Sequence, residues 1–437
     1  MQTPSLALPD IGAKEKRLKV IILGAGITGV SSAWFLREAG FDVTVIDRQP
    51  EAALETSFAN GGQISVSQSE PWANPDAPLK VLKWLWRDDS PLLFRPRLDP
   101  RQWAWGLQFL RECLPSRNER NIIQMLNLGL YSRETLRELR ASTGIEYDQL
   151  SRGILQIFFD QQTYDAAAES SALMRQYNCH RDAITAERAI ELEPALAGLG
   201  SRLVGAIYAE EDESGDARLF TQRLSQLAAN KGVEFRFNTC IRALESSGGE
   251  VSGVRVCDSD GQQETLRADY YLVCLGSYSP LLTAPLGVYL PVYPTKGYSA
   301  TVSLEDYEGA PTVSITDDAM KMVYTRLGDR IRIAGTAELN GYNTELNEVR
   351  CEALTKRYFS LFPNSADPNS VQYWTGLRPS TPSNVPIIGR SSVRNLFLNT
   401  GHGTLGWTEG PGSGRAIAEI MSGKRPELDF GFVGPPV

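Results

Sequence analysis

The sequence predicts a mixed α/β and α+β fold in which a parallel-sheet domain is interleaved with an antiparallel-sheet domain. Three observations support this prediction. The chain opens with a strand, a glycine-rich turn, a helix and a second strand. A buried-looking strand near residue 271 returns to that unit much later in the chain. Between Pro291 and Trp374 polar and apolar residues alternate, as in antiparallel strands.

The first element is a βαβ unit. Leu18–Leu23 is a β-branched apolar run, Ile27–Ala39 has apolar residues at helical spacing, and Phe41–Asp47 alternates. The first turn reads Gly24-Ala25-Gly26-Ile27-Thr28-Gly29, which is the G-x-G-x-x-G motif directly after a strand and at the start of a helix. This context predicts a Rossmann-like dinucleotide site.

Each residue of this turn has a physical role. Gly24 permits the tight turn, Gly26 lets the backbone approach a pyrophosphate, and Gly29 lets the helix pack against the strand. The helix N-terminus offers amide donors to the phosphates. Asp47 ends the second strand, where a carboxylate accepts hydrogen bonds from ribose hydroxyls. NAD and FAD both use this arrangement. No second strand-anchored G-x-G-x-x-G occurs, so we expect electrons to arrive directly from the substrate.

Residues 72–110 combine tryptophans with prolines and basic residues, and an amphipathic helix is predicted from about Glu119 to Arg140. We take this region as the start of the second domain. The aromatic segment either lies at a membrane surface, since Trp and Arg suit that interface, or forms an aromatic lid or core. Its tryptophans are Trp72, Trp84, Trp86, Trp103 and Trp105.

Later segments cross between the two domains. The elements that return to the first domain are the helix Leu219–Asn230, the strand Val233–Asn238 and the strand Tyr271–Leu275, which ends at Gly276. Ser299–Val302 and Arg330–Ile333 indicate the antiparallel sheet that covers a substrate. We therefore predict an N-terminal extension at 1–17, a dinucleotide-binding domain at 18–80, 185–287 and 376–430, and a substrate-binding domain at 81–184 and 288–375.

The C-terminal region suggests a second anion site. The strand Leu396–Leu398 leads into a glycine-rich turn, and a helix is predicted over Arg415–Met421. Such a turn exposes backbone amides beside a helix N-terminus, which suits the negative charge of a reduced flavin. His402 in this turn is either a general base or a structural histidine packed beside a cofactor.

Arg378 stands in the proline-bounded segment Trp374–Pro382. A rigidly held guanidinium can bind both oxygens of a substrate carboxylate. It can equally form a structural ion pair. The residues alone do not choose between these two interpretations.

Composition limits the classes of function. A net charge of −8 argues against nucleic-acid binding, and a small-molecule partner is expected. The six cysteines form no C-x-x-C pair, so neither a metal site nor a disulfide framework is predicted. The first 17 residues lack the apolar core of a secretory signal, and no run approaches a transmembrane span. We expect a cytoplasmic protein that can also bind peripherally to the inner face of the plasma membrane.

With these motifs in view, the chain resembles the FAD-dependent D-amino acid dehydrogenases of the D-amino acid oxidase and glycine oxidase superfamily. The resemblance spans nearly the whole sequence and rests on four separated motifs beyond the opening turn. These motifs are Leu54–Ser65, Tyr293–Ser299, Trp374–Pro382 and Asn399–Thr408. Ser383-Asn384 and Glu409-Gly410-Pro411 depart from the residues usual in that family, which bears on substrate range.

The resemblance implies non-covalently bound FAD and assigns roles. Arg378 would pair with the substrate carboxylate, and Ile241 would contact adenine through its backbone. Tyr298 and Tyr324 are either active-site tyrosines or core residues. The resemblance and the opening turn together predict as catalytic residues Arg378, Tyr298, Tyr324 and His402. The predicted cofactor-binding residues are Gly24, Gly26, Ile27, Thr28, Gly29, Asp47, Arg48, Thr56, Ser57, Asn60, Gly61, Gly62, Gln63, Ile241, Gly276, Gly401, His402, Gly403, Thr404, Leu405, Gly406, Trp407 and Thr408.

The predicted reaction is oxidative deamination of a free D-amino acid to a 2-oxo acid and ammonia. Arg378 would fix the carboxylate so that the α C–H points at flavin N5 for hydride transfer, and positioning would supply most of the catalysis. Electrons would pass to a quinone or another acceptor. The alternatives are a glycine, sarcosine or D-hydroxyproline dehydrogenase or oxidase on the same scaffold, an NAD-dependent dehydrogenase, and a flavin-containing subunit without activity of its own.

Overall fold

The computed structural model describes residues 17–79 and 92–435. Its strands are β1 Lys19–Leu23, β2 Asp42–Ile46, β3 Gln63–Ile64, β4 Leu92–Phe94, β5 Ile154–Phe158, β6 Asp182–Thr185, β7 Gly205–Ala209, β8 Glu213–Ser214, β9 Glu234–Arg236, β10 Cys240–Ser247, β11 Glu250–Cys257, β12 Gln263–Leu266, β13 Tyr270–Val273, β14 Tyr293–Ser303, β15 Ser314–Asp317, β16 Met322–Leu327, β17 Arg330–Leu339, β18 Gln372–Ser380, β19 Ile387–Arg390 and β20 Leu396–Thr400.

The α-helices of the same residues are α1 Ile27–Glu38, α2 Pro100–Glu112, α3 Pro115–Thr143, α4 Gln161–Arg175, α5 Ala186–Leu192, α6 Ala217–Asn230, α7 Ser279–Thr283, α8 Glu348–Leu361 and α9 Gly406–Met421. Within the described ranges, no helix combines the length and the apolar character that a bilayer crossing requires. Residues 1–16, which make up most of the predicted N-terminal extension, lie outside the described residues, as do Trp84 and Trp86 of the aromatic segment.

The first sheet confirms the predicted nucleotide-binding unit. Its strand order is β19-β20-β13-β1-β2-β9, and β1 pairs in parallel with both β2 and β13. These strands are apolar on both faces because both are covered: helices pack on one face, and the three-stranded sheet β10-β11-β12 packs on the other. Packing of α1, α6 and α9 against it forms a core with Val20, Ile22, Val45, Leu224 and Ile417.

The second sheet corresponds to the predicted antiparallel sheet, but it is mixed: its pairs are antiparallel except β5–β15 and β4–β17, which are parallel. Its order is β18-β14-β17-β16-β15-β5-β7-β6, with β4 paired to β17. One face packs against α8 around Ala300, Ile333 and Leu354, whereas the other face looks towards the loop that follows β2. Sheet membership places β7 and β18 in this second unit, whereas the predicted boundaries assign residues 205–209 and most of 372–380 to the first domain. The division of the chain into domain segments remains a proposal.

Candidate active site

The turn after β1 can be built only with glycine at two of its positions. Gly24 has φ +109°, and a Cβ there would lie 2.5 Å from the carbonyl oxygen of Cys274. A Cβ on Gly29 would lie 1.9 Å from the carbonyl oxygen of Gly24. These contacts bring α1 directly against the strand edge, which is the close packing that the motif predicted.

The N-terminus of α1 is open for an anion. Its N-cap residue, Gly26, makes no side-chain cap, and a Cβ on Gly26 would meet nothing closer than the hydroxyl of Ser57 at 3.7 Å. That hydroxyl accepts a hydrogen bond from the amide of Ile27 at 3.2 Å. Gly26 and Thr28 are both partly exposed. The other first-turn amides and the space beside Gly26 fit a pyrophosphate.

Asp47 lies at the predicted ribose position. Its carboxylate accepts hydrogen bonds from the amides of Ala25 at 2.6 Å and Gln49 at 2.9 Å, and each oxygen keeps a lone pair for a further donor. Burial raises the pKa of Asp47, while those two amides act in the opposite direction. The Asp47 carbonyl accepts from the amide of Thr239 at 2.9 Å, which brings Ile241, two residues later, towards this end of the site.

Arg48 follows β2 and Gly276 follows β13, so both lie at the carboxyl end of the first sheet, whose strands β2 and β13 are parallel to β1. The Arg48 guanidinium lies 4.4 Å from the ring centroid of Tyr278 and pairs with Glu55 at 2.8 Å. Gly276 has φ +51°, and a Cβ there would lie 3.8 Å from Pro379. The structure therefore brings the end of β13 to the end of β18.

Three of the predicted motifs meet at the C-terminal end of β18. The carbonyl of Leu377 accepts hydrogen bonds from the hydroxyls of Thr56 at 2.9 Å and Ser277 at 3.0 Å. The amide of Gly403 donates to the carbonyl of Pro379 at 3.0 Å. Ser380 forms an isolated bridge with His402. Segments more than 300 residues apart in the sequence thus converge around Arg378.

The loop of residues 60–63 binds the open face of the second sheet. The Asn60 carbonyl accepts from Arg332 Nη1 at 3.0 Å, and the Gly61 carbonyl accepts from the hydroxyl of Thr325 at 2.7 Å. The amide of Gly62 donates to Asn60 Oδ1 at 3.1 Å, and Gln63 Nε2 donates to the hydroxyl of Ser314 at 3.0 Å. Sequence reasoning missed Arg332; its only signal was a charged residue within the alternating strand Arg330–Ile333.

The final helix begins earlier than predicted. The predicted start at Arg415 is wrong, because α9 begins at Gly406. Its glycines permit close helix packing: a Cβ on Gly412 would lie 2.6 Å from Ser132 Cα, and one on Gly414 would lie 2.7 Å from the carbonyl carbon of Ser31. The N-cap residue, Leu405, makes no side-chain cap, and first-turn amides of this kind suit an anion. The predicted turn residues Gly401, Gly403, Thr404 and Leu405 precede the helix, and Gly406, Trp407 and Thr408 form its first turn.

His402 and Glu409 flank this helix start and are both buried. Neither ring nitrogen of His402 and neither carboxylate oxygen of Glu409 has a hydrogen-bond partner among the described residues. Burial lowers the pKa of His402 to about 3, so its imidazole is neutral near pH 7 and a weak proton acceptor. Burial raises the pKa of Glu409 well above its usual range.

Arg378 is a partly buried cation without an acidic partner. Its Nη1 donates to the carbonyl of Thr336 at 2.9 Å, and no ion pair found within residues 17–79 and 92–435 includes it. A Cβ on Gly297 would lie 2.5 Å from the Arg378 Cζ, so the guanidinium lies directly over that glycine. Burial, and after it the charge of Arg350, lowers the pKa of Arg378 to about 10. The group stays charged at neutral pH and can bind an anion.

The structure does not bring Tyr298 and Tyr324 to Arg378. Arg378 pairs with Thr295, and because side chains alternate along a strand, Tyr298 points to the opposite face of the sheet. There its hydroxyl donates to Glu338 at 2.6 Å. Tyr324 packs against Tyr358, with 5.5 Å between the ring centroids. Both tyrosines belong to the core under α8, so core packing is the better interpretation.

These features fit one extended dinucleotide better than two separate ligands. The phosphate end has a helix N-terminus without an N-cap side chain and an open glycine. The other end has a second uncapped helix, an unpaired buried histidine and a cation that faces the sheet surface. The loop of residues 54–65 joins them through Ser57 and Thr56. This chain therefore has suitable groups for the nucleotide and for the flavin of FAD.

Comparison with known proteins agrees with this geometry. A family model described as FAD dependent oxidoreductase matches residues 19–420. A D-amino acid dehydrogenase of Dechloromonas aromatica (strain RCB) is 55% identical over 416 residues, which cover 95% of this chain and 100% of that protein. A D-amino acid dehydrogenase of Paramagnetospirillum magneticum (strain ATCC 700264 / AMB-1) is 50% identical and covers 95% and 98%.

Solved structures share the fold at low sequence identity. Glycine oxidase from Bacillus cereus ATCC 14579 has a TM-score of 0.71 and 21% identity, and the match covers 94% of this chain and 98% of that one. L-proline dehydrogenase from P. horikoshii has a TM-score of 0.73 and 16% identity, with 95% and 96% covered. At such identities the likeness concerns the fold alone, and it confirms the predicted fold class.

Proposed function

Because the chain belongs to the family of FAD-dependent oxidoreductases, we propose that it catalyses the oxidative deamination of free D-amino acids to 2-oxo acids and ammonia. The D-amino acid dehydrogenases that resemble it at 45–55% identity over almost their whole length support this activity. FAD is the cofactor, so the NAD-dependent alternative is set aside.

The observation that carries the proposal is the unpaired Arg378. A guanidinium removed from water and left without a carboxylate is costly unless a ligand provides the charge. An amino acid substrate does so through its carboxylate, which a guanidinium binds with two parallel hydrogen bonds. The Thr336 carbonyl fixes one edge of the guanidinium at 2.9 Å, leaving the remaining donors for the substrate.

The other groups of the site orient the reactants. FAD, when bound, supplies the acceptor for the hydride that leaves the α-carbon. We propose that Gly24, Gly26, Gly29 and Asp47 hold its nucleotide end, and that the 54–65 loop and the first turn of α9 hold its flavin end. The first-turn amides can stabilise negative charge there. The neutral His402 then acts through packing rather than proton transfer, because its pKa is about 3.

We also propose that α2 docks on a membrane surface, where a quinone could accept the electrons. Trp103, Leu107 and Leu110 recur at helical spacing on α2, and Leu114 follows two residues after its end; each exposes more than half of its surface, at 52%, 71%, 52% and 53%. Exposed Arg101 and Arg111 lie on the same helix. Apolar and basic residues in this arrangement suit an anionic lipid surface.

The opposite side of α2 reaches the proposed active site. Buried Trp105 donates from Nε1 to the carbonyl of Ser380 at 2.8 Å and stacks on Phe109. The aromatic segment is therefore divided between the two predicted interpretations: Trp105 belongs to the core, and Trp103 is exposed. A helix with one face at the site and the other in solvent could connect a membrane acceptor with the substrate domain.

The decisive experiment is an anaerobic titration of the purified holoenzyme with a panel of D- and L-amino acids, glycine, sarcosine and D-hydroxyproline. We expect loss of the oxidised flavin absorption with D-amino acids and little change with their L-enantiomers. Reduction by glycine, sarcosine or D-hydroxyproline alone would assign the chain to the alternative substrate class. A flavin that no compound reduces would contradict the proposed activity.

A further inference from the structure

Three buried hydroxyls near Arg378 have no hydrogen-bond partner among the described residues. We call Thr295, Ser299 and Thr336 the hydroxyl cluster; their side chains expose 0%, 1% and 7% of their surface. Buried polar groups in proteins are almost always hydrogen-bonded. Three exceptions around one arginine therefore require an explanation.

Two members of the cluster flank the guanidinium along β14. Thr295 pairs with Arg378 and Ser299 pairs with Trp374 across the antiparallel ladder. Residues two apart on a strand share a face, so Thr295, Gly297 and Ser299 form one row. Because the Arg378 guanidinium lies over Gly297, a hydroxyl stands in the row on each side of it, roughly 7 Å from Gly297 along the strand.

Thr336 belongs to a β-bulge opposite Gly297. The register between β14 and β17 breaks between the pairs Lys296–Glu338 and Tyr298–Gly335. Two residues of β17, Thr336 and Ala337, therefore face one residue of β14. Thr336 has φ +56°, which is a strained backbone conformation for a β-branched residue. Such strain persists where the surrounding structure enforces it and is concentrated at functional sites.

The bulge turns two carbonyls towards two arginines. The Thr336 carbonyl accepts from Arg378 and the Ala337 carbonyl accepts from Arg350 Nη2 at 3.1 Å. The charge of Arg350 also lowers the pKa of Arg378, after the larger effect of burial. The bulge thus fixes the orientation of a guanidinium in surroundings that favour a negatively charged ligand.

We propose that Thr336 is a substrate-contacting and positioning residue. Its carbonyl orients Arg378, and its hydroxyl donates a hydrogen bond to the substrate carboxylate, with Thr295 and Ser299 completing the polar wall of the carboxylate pocket. This inference rests on the proposed function, because it takes the anion to be the substrate's carboxylate. A regular strand at this position would present neither the carbonyl nor the hydroxyl in this way.

The test compares Thr336→Val and Thr336→Ser holoenzymes with the wild type. Valine keeps the shape and the carbonyl but removes the hydroxyl, so we expect at least a tenfold rise in KM for a D-amino acid, with kcat within threefold. Serine should bring KM back to within threefold of the wild type. Calorimetric binding of propionate, a carboxylate without an amine, should weaken in Thr336→Val by the same factor as KM rises.

The matched control is Thr283→Val in α7, which also removes a buried hydroxyl without a partner but lies away from β14 and β17. We expect unchanged KM and unchanged propionate binding in this variant. Unaltered kinetics in Thr336→Val, or an equal effect in Thr283→Val, would overturn the proposal.

A KM change without a change in propionate affinity would overturn the assignment to the carboxylate. Should the wild type bind propionate but oxidise no D-amino acid, the proposed function fails while propionate binding still tests the cluster.

Discussion

At the scale of single residues, Arg378 governs the predicted chemistry because it is a partly buried cation that has no ion-pair partner among the described residues and that a ligand carboxylate can neutralise. We expect Arg378→Ala to retain FAD and to lower kcat/KM by on the order of 100-fold, about 3 kcal/mol, as for loss of a charged hydrogen-bonding partner. Arg378→Lys should recover part of the loss, since an ammonium keeps the charge but cannot bind both oxygens in one plane.

Steady-state kinetics with a D-amino acid and an artificial acceptor provide the measurement for Arg378. Exposed Arg188 on α5, which pairs only with Glu191 among the described residues, supplies the control variant Arg188→Ala. An unchanged kcat/KM in Arg378→Ala would remove Arg378 from the substrate site. Loss of the flavin from that variant would instead assign it to the cofactor site.

Glu409 should make the stability of the fold depend on pH. Burial raises its pKa well above the usual 4.5, so the native chain keeps a proton that the unfolded chain releases as the pH rises beyond 4.5. The unfolded state then binds fewer protons, and stability falls with rising pH. We expect Glu409→Gln to raise the Tm at pH 8 by at least about 2 °C and to leave it unchanged at pH 4.5.

The control for Glu409 is Glu427→Gln, which changes an exposed carboxyl in the C-terminal region. Thermal unfolding of holoenzyme followed from pH 4.5 to 8 distinguishes the two variants. If the Tm curves of Glu409→Gln and the wild type run parallel across that range, the carboxyl is ionised in the native state and the expectation is wrong.

At the scale of elements, the final helix shows where sequence reasoning stops. The sequence predicts this helix only from Arg415, after residues 410–414, which contain glycine and proline, residues that usually interrupt helices. In the structure the glycines lie inside α9, where the absence of side chains lets it approach α1 and α3. The packing of α9 against α1 and α3 explains why these residues are helical. The local sequence does not show which helices will pack against them.

Two glycines in helices should therefore respond to alanine in opposite directions. A Cβ on Gly412 would lie 2.6 Å from Ser132 Cα, whereas one on Gly106 in α2 meets nothing within 4 Å. We expect Gly412→Ala to lower the free energy of unfolding by about 1–3 kcal/mol through overpacking. Gly106→Ala should raise it by about 0.5–1 kcal/mol, because alanine is the better helix former.

Chemical denaturation of the two variants under identical conditions tests this pair, since each serves as the control of the other. Equal effects of the same sign would show that helix propensity alone governs both positions. In that case the close approach of α9 to α3 would not require glycine at position 412.

At the scale of the whole molecule, the sequence predicted which motifs exist but not all of the contacts among them. The βαβ unit, the antiparallel sheet and the role of FAD are confirmed by the topology and the family comparison. The convergence of Thr56, Ser277 and Gly403 on β18 depends on long-range hydrogen bonds that local patterns do not encode. The bulge at Thr336 was missed for the same reason, because it arises from register between strands.

The membrane contact is a property of the whole molecule because it relates an exposed helix face to an electron acceptor outside the chain. We expect the holoenzyme to float with vesicles that contain anionic lipid and to do so less at high salt, which screens the arginines.

The double variant Leu107→Glu and Leu110→Glu should stay in the soluble fraction, since both side chains are exposed and the change leaves the core intact. Val349→Glu, which alters an exposed apolar residue on α8, should float like the wild type. Equal flotation of all three proteins would show that α2 is not the docking face, and electrons would then leave through another surface.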